Sequence, residues 1–292
     1  MTRDPYAVCL DIVRAHHENF PVASHLVPAR MRRHIAAVYA FARIADDFAD
    51  EGHLAPDYRH RLLDDWEHRL RVAAAGSAER DGSDEAAVFA ALEQTIAACS
   101  LPISLFTDLL SAFRQDVDVT RYATWPDLLD YCRRSANPVG RLVLRISGRD
   151  DAALDASSDA LCTALQLTNF WQDLERDWKK GRVYLPADLM AAHGADEGDI
   201  AAGVMTPPLR EALADAAERT RNLFHWGRHV CSQVGGRLGV ELRATWLGGT
   251  RILDRLARSH FDVFQARPSL GARDALPITA QLVWWSARAS QR

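Results

Sequence analysis

Apolar residues recur every three or four positions along most of the chain, and strict alternation is scarce, so the pattern predicts helices nearly throughout. Pro28 to Glu51 sets Met31, Ile35, Val38, Tyr39, Ala42 and Ala45 on one stripe, and Tyr58 to Ala75 repeats it with Leu62, Leu63, Trp66, Leu70 and Ala73–Ala74. Gly76 to Ser83 is polar and reads as a loop, followed by helices at 84–99 and 102–117. Thr124-Trp125-Pro126-Asp127 has the form of a helix start, with Thr124 as N-cap and Pro126 in the first turn. Asn137-Pro138 interrupts the next helix, because a proline ring clashes with the preceding turn. Ser147 to Ser158 reads as a loop, and a helix then runs from about Ser158 to Lys180, closed by Lys179-Lys180-Gly181. His193 to Pro208 reads as a second, long loop. Helices at about 208–233 and 237–259 precede a basic tail expected to be irregular. The expectation is one all-α domain spanning residues 1–292, its helices arranged around a central apolar cavity.

Composition narrows the classes. With 48% hydrophobic and 25% charged residues the chain is that of an ordinary globular protein, and 292 residues suffice for a sizeable core. A net charge of −4 without a long Lys/Arg run argues against nucleic acid as a partner. Cys9, Cys99, Cys132, Cys162 and Cys231 are odd in number and scattered, which suits reduced thiols in a cytoplasmic protein better than a disulfide framework. No stretch has the length and apolarity of a signal peptide or a membrane span, so at most a surface contact with a membrane is expected.

Two acidic clusters carry the candidate chemistry. Asp46-Asp47-Phe48-Ala49-Asp50-Glu51 places Asp46 and Asp50 four apart on one helical face. Asn169, Asp173 and Asp177 form a three-rung ladder at the same spacing. Like charges so placed weaken a helix by about 0.2–0.5 kcal/mol per pair, so a cation is expected to match them. Oxygen ligands with no His or Cys beside them select Mg²⁺, which commonly links carboxylates to substrate phosphates. The plain alternative is a solvated acidic face. A di-iron carboxylate bundle needs paired Glu-x-x-His motifs, and none is present. Two Asp-rich helices facing one another across an apolar cavity suit metal-assisted departure of a diphosphate. The carbocation left behind requires a dry, aromatic-lined pocket, for which Phe20, Tyr39, Phe41, Phe48, Tyr131, Phe170 and Trp171 are candidates, with plain core packing the alternative for each. Arg43, one turn before Asp46, is placed either for a phosphate oxygen or for an ion pair with Asp46 or Asp47.

The same residues carry a family resemblance over nearly the whole chain. His16-His17-Glu18-Asn19-Phe20, Tyr39-Ala40-Phe41-Ala42-Arg43-Ile44-Ala45-Asp46-Asp47-Phe48-Ala49-Asp50, Arg121-Tyr122-Ala123-Thr124-Trp125, Tyr131-Cys132 with Val139-Gly140, and Gln166-Leu167-Thr168-Asn169 through Asp173 and Asp177 to Gly181-Arg182-Val183-Tyr184-Leu185-Pro186 resemble the squalene/phytoene synthase family of head-to-head prenyl-coupling enzymes, to near Arg267. The resemblance implies the all-α isoprenoid-synthase fold and Mg²⁺ bound through Asp46, Asp50, Asn169, Asp173 and Asp177, with Asp46, Asp50, Asp173 and Asp177 catalytic. It also implies diphosphate contacts from Arg43, Arg182 and Arg267, and places Tyr39, Gln166 and Tyr184, with His16, His17 and Phe20, in the substrate-binding set.

Within that family, Asn19-Phe20-Pro21-Val22-Ala23-Ser24 and Thr168-Asn169-Phe170-Trp171-Gln172-Asp173 resemble the hydroxysqualene-forming branch of bacterial hopanoid synthesis. The coupling members typically carry Arg immediately before the first Asp of the second motif, where this chain has Gln172, and Ser where it has His17. An enzyme joining two prenyl diphosphates must neutralise two diphosphates, whereas one ionising presqualene diphosphate handles one, so losing a fixed cation fits the lighter load. The branch ionises presqualene diphosphate, rearranges the cyclopropylcarbinyl cation and lets water capture it, without nicotinamide. No G-x-G-x-x-G is present to bind one. The rivals are a coupling enzyme making presqualene diphosphate, phytoene or dehydrosqualene, and a catalytically silent helical partner of neighbouring squalene-pathway enzymes.

Overall fold

A computed structural model describes residues 3–15, 26–50 and 54–289. His16, His17 and Phe20 lie outside the described residues. The described chain is helical, and β-pairing among the described residues is limited to an isolated bridge between Arg121 and Val183. It divides into two compact units, one of Met1–Asp118 with Pro138–Asp155 and one of Val119–Asn137 with Ala156–Arg292.

The first unit is built on one helix. α1 is Pro5–Ala15, α2 Ala29–Asp50, α3 Pro56–Ala74, α4 Asp84–Cys99 and α5 Ile103–Asp118, and α2 packs against all four others. Ala36, Ala37, Ala40, Ala45 and Ala49 are fully buried along it, and side chains this small let several neighbours approach one helix. Phe41 is fully buried among Trp66, Phe89 and Phe106, with Phe48 edge-on to Trp66. The Trp66 indole N–H donates to the Phe41 carbonyl at 3.2 Å. Such aromatic pairs contribute about 0.5–1.5 kcal/mol beyond their buried area, and they fix the rotation of α2. Ser83 caps α4, its hydroxyl accepting from the Ala86 amide, a bond of about 1 kcal/mol.

The second unit holds α6 (Trp125–Ser135), most of α8 (Ala152–Gln172), and α9 (Leu174–Lys179), α10 (Ala187–Ala192), α11 (Glu197–Ala201), α12 (Pro207–Gln233), α13 (Gly236–Arg258) and α14 (Ala272–Ala289); α7 is Asn137–Ile146. Thr124 caps α6 in a full capping box with Asp127, as its sequence predicts. α8 lies hard against α12. Gly227 leaves no room for a side chain there, since a Cβ would come within 2.7 Å of the Leu161 amide nitrogen. Ser157 Oγ donates to the Trp226 carbonyl and accepts from the Val230 amide, and the Trp171 indole donates to Thr220 Oγ1 at 2.9 Å.

Four expectations are corrected. The loop expected over Ser147–Ser158 ends early, because Asp151 caps α8 through the Leu154 amide at 2.9 Å. The helix expected to run unbroken to Lys180 is interrupted at Asp173, whose φ of −104° and ψ of 13° lie in the sparsely allowed bridge region. The loop over His193–Pro208 contains α11, started by an Asp196–Asp199 capping box. The tail expected to be irregular forms α14 despite Pro277 in its interior. Asp274 anchors the start of α14, accepting from the Gly271 amide and from Arg251 and Arg255, and these donors hold its carboxyl below the usual carboxylate range.

Candidate active site

The first cluster follows from the rotation of α2. Tyr39, Arg43, Asp46 and Asp50 recur at intervals of four, three and four, which puts them on one face of a 3.6-residue helix. Tyr39 is buried, Arg43 and Asp46 are partly exposed, and Asp50 is exposed at the helix end. Arg43 is 15% exposed and spans two acids, with Nη1 3.5 Å from Asp46 Oδ2 and Nη2 2.5 Å from Asp47 Oδ1. The ion-pair alternative for Arg43 is thus realised in this state. Both acids named for that pair are engaged, Asp47 at the i,i+4 spacing.

The second cluster straddles the break between α8 and α9. The Asp173 amide donates to the Asn169 carbonyl and the Asp177 amide to the Asp173 carbonyl, each at 2.8 Å. These bonds keep the i,i+4 register, so the ladder survives the interruption. Gln166 lies a further turn back, half-buried, and Asn169 is exposed. Asp173 is engaged by Arg267 from 94 residues away, in a fork with Nε 2.6 Å from Oδ1 and Nη2 2.7 Å from Oδ2. The bonds to Asp173, reinforced by its charge and that of Asp177, raise the Arg267 pKa above its ordinary value. Arg176 adds a longer contact to Asp173 at 3.5 Å. Among the described residues no three His, Cys, Asp or Glu side chains are gathered as a metal site; arginines hold Asp46, Asp47 and Asp173.

Beside the ladder stands an aromatic group. Tyr184 stacks on Phe170 with ring centroids 3.7 Å apart and planes 5° from parallel, and Tyr122 and Tyr131 complete the group at 5.5–6.3 Å. Backbone bonds bring its parts together: the Val183 amide donates to the Thr120 carbonyl and the Ala187 amide to the Tyr122 carbonyl. Arg121 braces the same crossing through the Gly181 and Thr120 carbonyls and Glu197. Arg182 is half-buried just beyond, its amide donating to the Asp177 carbonyl.

The aromatic candidates therefore separate. Phe41 packs in the core of the first unit with half-buried Phe48 beside it on Trp66, and Trp171, 1% exposed and stacked on Trp125, packs in the core of the second. Tyr131 and Phe170 join Tyr184. Tyr122, within a quoted motif but given no role from sequence, belongs with them; its signal was the pairing of two distant motifs.

Comparisons with known proteins give a family match and several relatives. The squalene/phytoene synthase family model matches residues 13–274. The chain is 39% identical over 246 residues to the hydroxysqualene synthase of Zymomonas mobilis, covering 83% of this chain and 77% of that one. It is 38% identical over 241 residues to the hydroxysqualene synthase of Rhodopseudomonas palustris, covering 82% and 79%. The crystal structure of squalene synthase HpnC from Alicyclobacillus acidocaldarius superposes with a TM-score of 0.82 at 42% identity, covering 88% of this chain and 94% of that one.

Proposed function

The chain belongs to the squalene/phytoene synthase family, and on that premise we propose that it converts presqualene diphosphate into hydroxysqualene and inorganic diphosphate in squalene and hopanoid synthesis. The likeness to two hydroxysqualene synthases carries this reading. The C–O bond to the diphosphate breaks with its electron pair on the departing oxygen. The cyclopropylcarbinyl cation rearranges, and a water lone pair forms the new C–O bond with loss of one proton. We take residues 1–292 as one functional module, supported by a family match that runs through both units.

Each donor set taken by itself fits Mg²⁺: Asp46 and Asp50 on α2 are oxygen ligands only, and so are Asn169, Asp173 and Asp177 on the ladder. An ion bound at either set would supply positive charge against which a diphosphate leaves. Arg43, held on Asp46, and Arg267, held on Asp173, are each long enough to transfer to phosphate oxygens, and Arg182 is a further cation near the ladder. Tyr39 and Gln166 contact the substrate, together with His16, His17 and Phe20. Tyr131, Phe170 and Tyr184 present ring faces that stabilise the cation and exclude stray water.

Incubation with Mg²⁺ and either presqualene diphosphate or farnesyl diphosphate tests the proposal. An alcohol should form from presqualene diphosphate, carry oxygen from isotopically labelled water and need no reduced nicotinamide, while farnesyl diphosphate alone turns over little. Presqualene diphosphate, phytoene or dehydrosqualene as the main product from simple prenyl diphosphates would establish the coupling rival. A folded protein inert toward both substrates would establish the silent one.

The proposal includes a peripheral contact with the cytoplasmic face of a membrane. No helix of the described residues is long and apolar enough to cross one. Leu276, Val283 and Trp284, at 79%, 66% and 67% exposure, share one face of α14, while Trp285 packs inward on Trp246. In flotation with anionic lipid vesicles, Trp284→Ser should lower the bound fraction. Equal flotation of variant and parent would remove α14 from that role.

A further inference from the structure

Gln172 is buried at the end of α8, and its side-chain amide donates to the carbonyl of Pro268. The adjoining residue on each segment makes the other contact, Asp173 after Gln172 receiving the fork of Arg267, which precedes Pro268. Two consecutive residues at the end of α8 therefore hold two consecutive residues of the segment between α13 and α14. That segment has no regular structure of its own between residues 266 and 271. Its far end is tied down separately, by Arg255 to the Ser269 carbonyl and by Gly271 to Asp274. On the Arg267 side, the strap is tied by the Gln172 contact and by the ion pair.

From this clamp we infer that Gln172 is a positioning residue, fixing Arg267 in register with Asp173 so that one guanidinium serves first the ladder and then the diphosphate. The inference rests on reading Asp173 and Arg267 as parts of the diphosphate site. The chemistry of the position explains a neutral amide there. Gln172 must donate to a carbonyl from a buried site, which its NH₂ does without adding charge. An arginine in its place would set a second guanidinium beside Arg267, where the two would compete for Asp173 and repel one another. A glutamate would turn an acceptor toward an acceptor and bury a charge. The absence of the coupling enzymes' arginine is then more than a lighter cationic load; the side chain that replaces it holds another arginine in place.

Binding of inorganic diphosphate in the presence of Mg²⁺, followed by calorimetry, reads this without any assumption about the organic substrate. Gln172→Met, which keeps length and removes the donor, should weaken binding about fivefold, the scale of one neutral hydrogen bond. Arg267→Met should weaken it more, and adding Gln172→Met to Arg267→Met should change nothing further. Amide exchange of the parent and Gln172→Met should show residues 265–271 exchanging faster in the variant, with α5 unchanged. Gln172→Ser, which leaves space rather than strain, carries the same measurements if the methionine variant does not fold. Unchanged exchange in the strap would overturn the inference. So would faster exchange with unchanged diphosphate affinity, or additive effects in the double variant. If the protein binds diphosphate as described and yet makes no hydroxysqualene, the functional proposal fails while the clamp stands.

Discussion

Asp173→Ala and Asp50→Ala should each lower kcat on presqualene diphosphate by about 10²–10³-fold or more, the range found when a group stabilising developing negative charge is removed. Neither change should unfold the protein. Asp50 is exposed at the end of α2. Asp173 does lose its part-buried fork to Arg267, a loss of a few kcal/mol at most, against the about 5–15 kcal/mol that a folded domain holds. Removing either acid also relieves repulsion along its helical face. Thermal unfolding of the variants beside their kcat at saturating Mg²⁺ separates the two effects. Near-parent turnover in either folded variant would return the clusters to the solvated-face reading.

Local signals made most of the helices legible. Thr124 and Ser83 act as caps where their sequence contexts place them, and α4 ends at Cys99 before a left-handed Ser100. Elements held by distant partners were not legible. α1 has 11 residues, too few for a helix to stand alone, and it is made by packing on α2 and α4. α14 contains Pro277, a strong local argument against a helix, yet Trp285 on Trp246 and Asp274 on Arg251 and Arg255 hold it.

The site divides along the same line. Spacing within one helix predicts that Tyr39, Arg43, Asp46 and Asp50 share a face, because the 3.6-residue period is a local property. It also predicts the Asn169–Asp173–Asp177 ladder, although the backbone bends at Asp173. Nothing local indicates that Arg267 lies on Asp173, that Gln172 holds Pro268, or that Tyr184 stacks on Phe170. Nor can aromatic composition tell Phe41 in the core from Tyr131 beside the ladder. Burial depends on which neighbours the fold supplies.

Arg43 offers the second large effect, and its sign distinguishes two roles. In this state its guanidinium neutralises Asp46 and Asp47. Arg43→Ala would leave Asp46, Asp47 and Asp50 as three carboxylates within little more than one helical turn, with no cation among them from this residue. Their attraction for Mg²⁺ should therefore rise, while affinity for diphosphate should fall. A charged hydrogen bond contributes about 1.5–3 kcal/mol, so kcat/KM should drop about 10–150-fold. Arg43→Lys keeps the charge and loses the fork, and should fall between the parent and the alanine variant, chiefly in KM. Measuring Mg²⁺ affinity alone, then kcat/KM at saturating Mg²⁺, gives both signs. Were Arg43 only a partner for its neighbouring acids, Mg²⁺ affinity would rise and kcat/KM would stay within about twofold of the parent, the scale of an exposed ion pair. A guanidinium that leaves the carboxylates for the diphosphate is required by the first outcome and excluded by the second.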